Sequence, residues 1–255
     1  MRHRFETRPA VLATCLLALL AFDEAAAEKP RLPGIKGTDD RAMIDSTAYP
    51  WSAIGRVNRR TGGFCTGVVV SPRKVLTAAH CLWNRRTQRL LPVQSLHFVT
   101  GYVRGQYLAE SAVTALRVSP SYRTPPPKNT DPANDWAVLT LAHDIGAVTP
   151  PLTILRLAEY DLARYRAEGA RFVQAGYSQD KAHILTVHDG CALLDLGADT
   201  RLLFHDCDAT RGDSGSPILL RQGDRYSLIG IHVATANVAG RSVGVSAAAY
   251  QANER

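Results

Sequence analysis

The chain has no apolar run long enough to cross a bilayer. Its apolar stretch from Ala10 to Phe22 stops short of the ~20 residues a spanning helix needs, so stable membrane insertion is not expected. Cysteine is scarce, and none of the five stands in the close Cys-x-x-Cys spacing that structural zinc favours; no metal and no cofactor are expected. Lys and Arg total 30 against 23 Asp and Glu, for a formal net charge of +7. The basic residues are nevertheless scattered, with only the small groups Arg59-Arg60 and Arg85-Arg86 and no interleaved aromatics. They read as a solvated surface, and no nucleic-acid partner is expected. There is also no internal repeat and no second module. The 255 residues suit one β-barrel-type unit, since such folds reach about 200–250 residues as a single domain.

The first 27 positions are set apart from the fold. Arg2, Arg4 and Arg8 precede the apolar stretch, and Ala25-Ala26-Ala27 follow it, the layout of a secretory signal with cleavage after Ala27. The expected location is therefore secreted or periplasmic. Removing the signal removes Cys15 and leaves Cys65, Cys81, Cys191 and Cys207, an even set in an oxidising compartment. Beyond it, short apolar runs at 67–70, 95–99, 137–139, 171–173, 217–220 and 227–231 are punctuated by Gly, Pro and Asn, the pattern of an all-β protein. Residues 155–166 have some helical spacing, and a Pro-rich connection spans 119–134.

The chemistry is concentrated in Gly212-Asp213-Ser214-Gly215-Ser216-Pro217. A serine hydroxyl is a poor nucleophile near neutral pH and needs a base within hydrogen-bond reach and a place for the developing oxyanion. Gly212 and Gly215 permit a tight turn that exposes Ser214 and offers the amides of Gly212 and Ser214 as oxyanion donors. Upstream, Thr77-Ala78-Ala79-His80-Cys81 supplies an imidazole, and Asn134-Asp135-Trp136 puts a carboxylate at the head of an apolar strand. Asp131 is the competing acid, but it lies in a polar turn. The other histidines, His97, His143, His183, His188 and His205, read as surface or strand residues.

These three segments resemble those of the chymotrypsin-like serine proteases, in the same order of histidine, aspartate and serine. The resemblance implies two antiparallel six-stranded β-barrels with the active site in the cleft between them. It implies a Ser214 nucleophile, a His80 base and an Asp135 that orients the imidazole and stabilises its cation. Four cysteines allow three pairings; the resemblance implies Cys65 with Cys81 beside the catalytic histidine, which leaves Cys191 with Cys207. Each bridge is expected to contribute roughly 3 kcal/mol by restricting the unfolded chain.

The implied function is secreted peptide-bond hydrolysis through an acyl-enzyme, on protein or peptide substrates and by a monomer. Signs of preference conflict. Asp208 stands where trypsin-type enzymes bind a substrate Arg or Lys, and the reading leans slightly that way. Gly230-Ile231-His232 instead resembles the bacterial glutamyl endopeptidases, where the histidine helps bind Glu. Val233-Ala234-Thr235 replace the usual Ser-Trp-Gly beside the substrate, and Cys207 directly before Asp208 departs from the trypsin arrangement. A glutamyl-specific endopeptidase and a catalytically silent protease-like binding protein are the alternatives. Finally, Gly34-Ile35-Lys36-Gly37 resembles the start of a mature chain, which implies a short propeptide at 28–34, a protease domain from 35 to 255, and pairing of the new Ile35 amine with Asp213.

Overall fold

The computed structural model describes residues 32–123, 131–197 and 199–253; the expected signal segment and part of the Pro-rich connection lie outside them. The first half contains β1 (Ala42–Ile44), β2 (Ile54–Arg59), β3 (Phe64–Ser71), β4 (Lys74–Thr77), β5 (Trp83–Asn84), β6 (Arg89–Leu90), β7 (Leu96–Thr100), β8 (Ala109–Val118) and β9 (Ala137–Leu141). The second half contains β10 (Thr153–Ile154), α1 (Glu159–Ala167), β11 (Arg171–Gly176), β12 (Leu185–Cys191), β13 (Leu193–Gly197), β14 (Leu202–His205), β15 (Pro217–Gln222), β16 (Arg225–Val238) and β17 (Arg241–Ala248). All six apolar runs read from the sequence fall on or overlap strands.

β2, β3, β4, β9, β8 and β7 close into an antiparallel barrel, and β7 returns to pair with β2 through Val57 and Phe98. Alternation fills it: Val57, Val68, Leu76, Phe98 and Leu139 are buried, as a pleated strand demands of one face. Gly55 is required here, because a Cβ would run into the Phe98 ring.

The second half, joined by β1 from the first, forms a sheet of nine strands, in the order β1-β12-β11-β15-β16-β17-β14-β13, with β10 pairing β16 off this path. Its six central members, β12 to β14, correspond to the expected second barrel; β1, β13 and β10 are additions. The Cys191–Cys207 bridge joins the two ends of that run, the last residue of β12 to the segment just after β14. Phe172, Leu203, Ile218 and Ile229, from four different strands, share one apolar cluster inside it. A larger cluster joins the halves, packing Leu76 and Leu139 with Val173, Tyr177 and Leu219.

The helix is shorter than its sequence pattern. Leu155 N–H donates to Leu228 C=O at 2.9 Å, which prolongs the sheet, and Ala158 is still extended. α1 starts only after Asp161 Oδ2 accepts the Ala158 N–H at 3.0 Å, a cap for a donor the helix leaves free.

Candidate active site

Strand register places His80 and Asp135 together. β4 pairs antiparallel with β9, with Thr77 opposite Ala137, so the residues after Thr77 and those before Ala137 emerge from the same end of the barrel. His80 follows in a short 3-10 turn, Ala79–Leu82, and Asp135 ends another, Pro132–Asn134. Asp135 Oδ1 accepts the His80 backbone N–H at 2.8 Å, and Oδ2 lies 2.6 Å from His80 Nδ1. This leaves Nε2 to face Ser214, whose Oγ is 2.9 Å away. Asp131, the competing acid, caps the turn instead, accepting from Ala133 N at 3.0 Å and Asn134 Nδ2 at 2.9 Å.

The serine comes from the other half, on the loop between β14 and β15. Its end is zipped to β16: Gly215 N donates to His232 C=O at 2.7 Å, and His232 N to Ser216 C=O at 2.8 Å. Gly212 and Gly215 have φ of 98° and 83°, which side-chain-bearing residues rarely adopt. A Cβ on Gly215 would also strike the backbone of Thr66 and Ala78. Among the described residues the amides of Gly212 and Ser214 donate to no protein acceptor, as oxyanion donors must remain free to do.

Thr66 of β3 is the joint between the halves, and sequence reasoning passed over it. It is fully buried, and its N–H donates to Ser214 C=O at 2.9 Å. Its hydroxyl donates to Gly212 C=O at 3.0 Å and accepts Tyr177 N–H at 3.0 Å. Its own carbonyl accepts the Thr77 hydroxyl at 2.7 Å. The loop that carries Ser214 is thus tied directly to the barrel that carries His80. Its position beside Cys65 was the available signal. Both expected disulfides are formed, and Cys81 Sγ lies 3.9 Å from His80 Nε2.

The expected pocket residues are placed differently. Asp208 is fully buried and both its oxygens are engaged: Oδ1 accepts Lys36 N–H at 2.6 Å and Oδ2 accepts Asp40 N–H at 3.1 Å. His188 Nδ1 accepts the Asp208 backbone N–H at 2.9 Å and lies 3.5 Å from Oδ2. Lys36 Nζ donates to Cys207 C=O at 2.5 Å and Gly34 C=O at 3.2 Å. Ala209 N–H donates to Gly34 C=O at 3.3 Å. The segment from Gly34 to Asp40 therefore lies against Asp208 and Ala209.

His232 and Val233 are buried, Ala234 is partly exposed and Thr235 is exposed. His232 stacks edge-on against the fully buried His205, ring centres 5.4 Å apart, and His205 Nε2 lies 3.1 Å from Ser246 Oγ. Burial, with the Lys36 cation adding to it, lowers the His232 pKa to about 3. His205 is likewise held neutral. His188 and His205 lie on strands as read, but neither is idle.

Asp213 is fully buried as well. Its Oδ2 accepts Ser178 Oγ at 2.7 Å and Thr210 N–H at 2.8 Å, and Arg41 Nη1 donates to that serine oxygen at 2.8 Å. Among the described residues Oδ1 accepts no well-formed hydrogen bond, and burial, only partly offset by Thr210, Ser178, Arg41 and Gln174, pushes the carboxyl up to about 6. Ile35 N–H is spent on Leu32 C=O at 3.1 Å.

Fold and site together define a double-barrel protein with an aspartate–histidine–serine chain in the cleft between its halves. The Trypsin family model matches residues 40–254, and the chain belongs to that family of trypsin-like serine proteases. It is 26% identical over 206 residues to the glutamyl endopeptidase of Bacillus licheniformis, covering 78% of this chain and 58% of that one. It is 29% identical over 221 residues to serine protease 23 of Rattus norvegicus, covering 79% and 55%. The chain thus spans little more than half the length of these relatives. A solved structure of a Glu endopeptidase in complex with MPD superposes with a TM-score of 0.68 at 21% identity, covering 86% of this chain and 96% of that one, which is a likeness of fold.

Proposed function

We propose that the protein is an extracytoplasmic serine endopeptidase that hydrolyses peptide bonds through an acyl-enzyme on Ser214. The observation that carries this is the unbroken run from Asp135 Oδ2 to His80 Nδ1 at 2.6 Å and from His80 Nε2 to Ser214 Oγ at 2.9 Å. In this reading His80 takes the Ser214 proton as Oγ attacks the carbonyl, and the Gly212 and Ser214 amides receive the oxyanion. The imidazolium, stabilised by Asp135, then passes the proton to the leaving amine. Water repeats the sequence to release the acid. A silent binding protein would have no use for a triad kept at bonding distance. Two disulfides and a signal-like leader support export.

For the residue ahead of the scissile bond we favour an acidic side chain over the basic one toward which the sequence leaned. Asp208 is fully buried with each oxygen already held by a backbone donor, so it does not present itself to a substrate cation. The charge beside it is the Lys36 ammonium, and His232 stands in the strand next to the pocket wall. The resemblance to a glutamyl endopeptidase points the same way. Cleavage profiling on a peptide library tests both levels. Cuts after Glu or Asp that His232→Ala removes support the acidic reading; cuts after Arg or Lys that Asp208→Ser removes restore the basic one; no cut sequence at all refutes the endopeptidase. The bare Oδ1 of Asp213 supports maturation ahead of Ile35, and N-terminal sequencing of the active form tests it.

A further inference from the structure

The basic pairs Arg59-Arg60 and Arg85-Arg86 stand apart in the sequence, and acyl transfer has no use for them. The fold brings Arg59, Arg85, Arg86 and Arg211 to one cleft of about 720 Å³ that is also lined by His80 and Ser214. They arrive on three separate segments. Arg59 ends β2, Arg85 and Arg86 occupy the turn between β5 and β6, and Arg211 directly precedes Gly212. The turn is held in shape, because Asn84 Oδ1 accepts from Arg86 N at 2.9 Å and Thr87 N at 3.2 Å. Arg211 is fixed through its carbonyl, which accepts Gln179 N–H at 2.6 Å.

These cations are not balanced by the protein. Among the described residues, no Asp or Glu lines the cleft. Among the described residues, no ion pair involves any of the four arginines. Arg59 is half-buried, its Nε has no acceptor, and its guanidinium lies so close over Gly63 that a Cβ there would meet Nη2 at 2.6 Å. A merely solvated basic surface spreads its charges into water, whereas here three segments converge on one concavity. A cleft walled by one sign of charge focuses its field and concentrates counter-ions.

The cleft also has a direction. The wall residues Val233, Ala234 and Thr235 contribute nothing to its lining, while both halves of the Cys65–Cys81 bridge do. A peptide that crosses Ser214 with its acyl part along β16 therefore places its leaving part among the arginines. We propose that this cleft is a subsite for acidic side chains in the residues that follow the scissile bond. Arg59, Arg85, Arg86 and Arg211 are its cations, and guanidinium forks suit carboxylates geometrically as well as electrically. The direction of the chain rests on the hydrolase reading above; the anion site itself does not.

The test separates the two. The purified protein is titrated by calorimetry with the leaving-side peptides Glu-Glu-Ala-amide and Ala-Ala-Ala-amide, and with fluorophosphonate in parallel. The acidic peptide is expected to bind about tenfold more tightly at low salt, with the advantage lost in 0.5 M NaCl or in an Arg85→Gln/Arg86→Gln variant, whose exposed side chains carry no part of the core. Equal binding of the two peptides, or an advantage untouched by the double substitution, overturns the proposal. Acidic binding in a protein that fluorophosphonate does not label retains the anion site and removes the hydrolase. Labelling without acidic preference does the reverse.

Discussion

Replacing Asp135 by Asn keeps the shape of the site and removes one property, the ability to accept on both oxygens. Asp135 now accepts two hydrogen bonds, from His80 N–H at 2.8 Å and toward Nδ1 at 2.6 Å. A carboxamide has one oxygen and one donor group. The backbone N–H can only donate, so the amide oxygen turns to it and the NH2 faces His80 Nδ1. That forces Nδ1 to accept, puts the ring proton on Nε2, and leaves nothing to take the Ser214 proton. The opposite flip restores the tautomer but sets donor against donor at the buried N–H, which costs about 1–3 kcal/mol. Adding the lost stabilisation of the imidazolium, kcat should fall about ten-thousand-fold, roughly 5.5 kcal/mol in barrier. The assay is steady-state hydrolysis of a peptide identified by library profiling, with a urea transition run alongside to show that the variant is folded. A folded variant within tenfold of wild-type kcat would refute the reasoning.

Other positions give independent expectations. Thr66→Val strands the Gly212 carbonyl and the Tyr177 N–H, and should lower stability by about 2–4 kcal/mol in a urea transition while reducing kcat; an unchanged midpoint would show that the joint is not structural. His232 is kept neutral with a pKa of about 3, against about 6.5 unfolded, so its contribution is complete above pH ~6.5 and drains as pH falls toward 3. Asp213 acts in the other sense: raised to about 6, it favours the fold below about 3.9 and loses that contribution as pH rises through 6. His232→Gln should therefore lose about 2–3 kcal/mol less than wild type between pH 7 and 4.5, and parallel losses in the two proteins would contradict the assignment. A Cys191→Ser/Cys207→Ser variant should lose about 3 kcal/mol, readable as a lowered urea midpoint, because the bridge joins the ends of the central six-strand run.

The grouping of His80, Asp135 and Ser214 was legible because each sits in a contiguous segment whose local chemistry declares it: Gly212 and Gly215 around Ser214, and a carboxylate opening the apolar strand at Ala137. Strands were legible from short apolar runs between turn residues. The pocket was not, since its occupants come from remote segments. Nothing local to Asp208 says that Lys36 and Asp40, some 170 positions earlier, donate to it. Thr66 was hidden for the same reason: its value lies in contacts to Tyr177, Gly212 and Ser214, none of them neighbours in sequence. The helix start was not legible because Leu155 satisfies its N–H in the sheet, a tertiary choice that helical spacing cannot reveal. Arg59, Arg85 and Arg86, which read in the sequence as scattered surface charge, are brought to one cleft only by the barrel and the Arg211 loop.

The most direct measurement is the site of fluorophosphonate modification by intact mass and peptide mapping. An Oγ activated by His80 at 2.9 Å should take up a single adduct on Ser214, and Ser214→Ala and His80→Ala should take up none while remaining folded. Absence of an adduct on folded wild-type protein, or an adduct on another residue, would contradict Ser214 as the nucleophile.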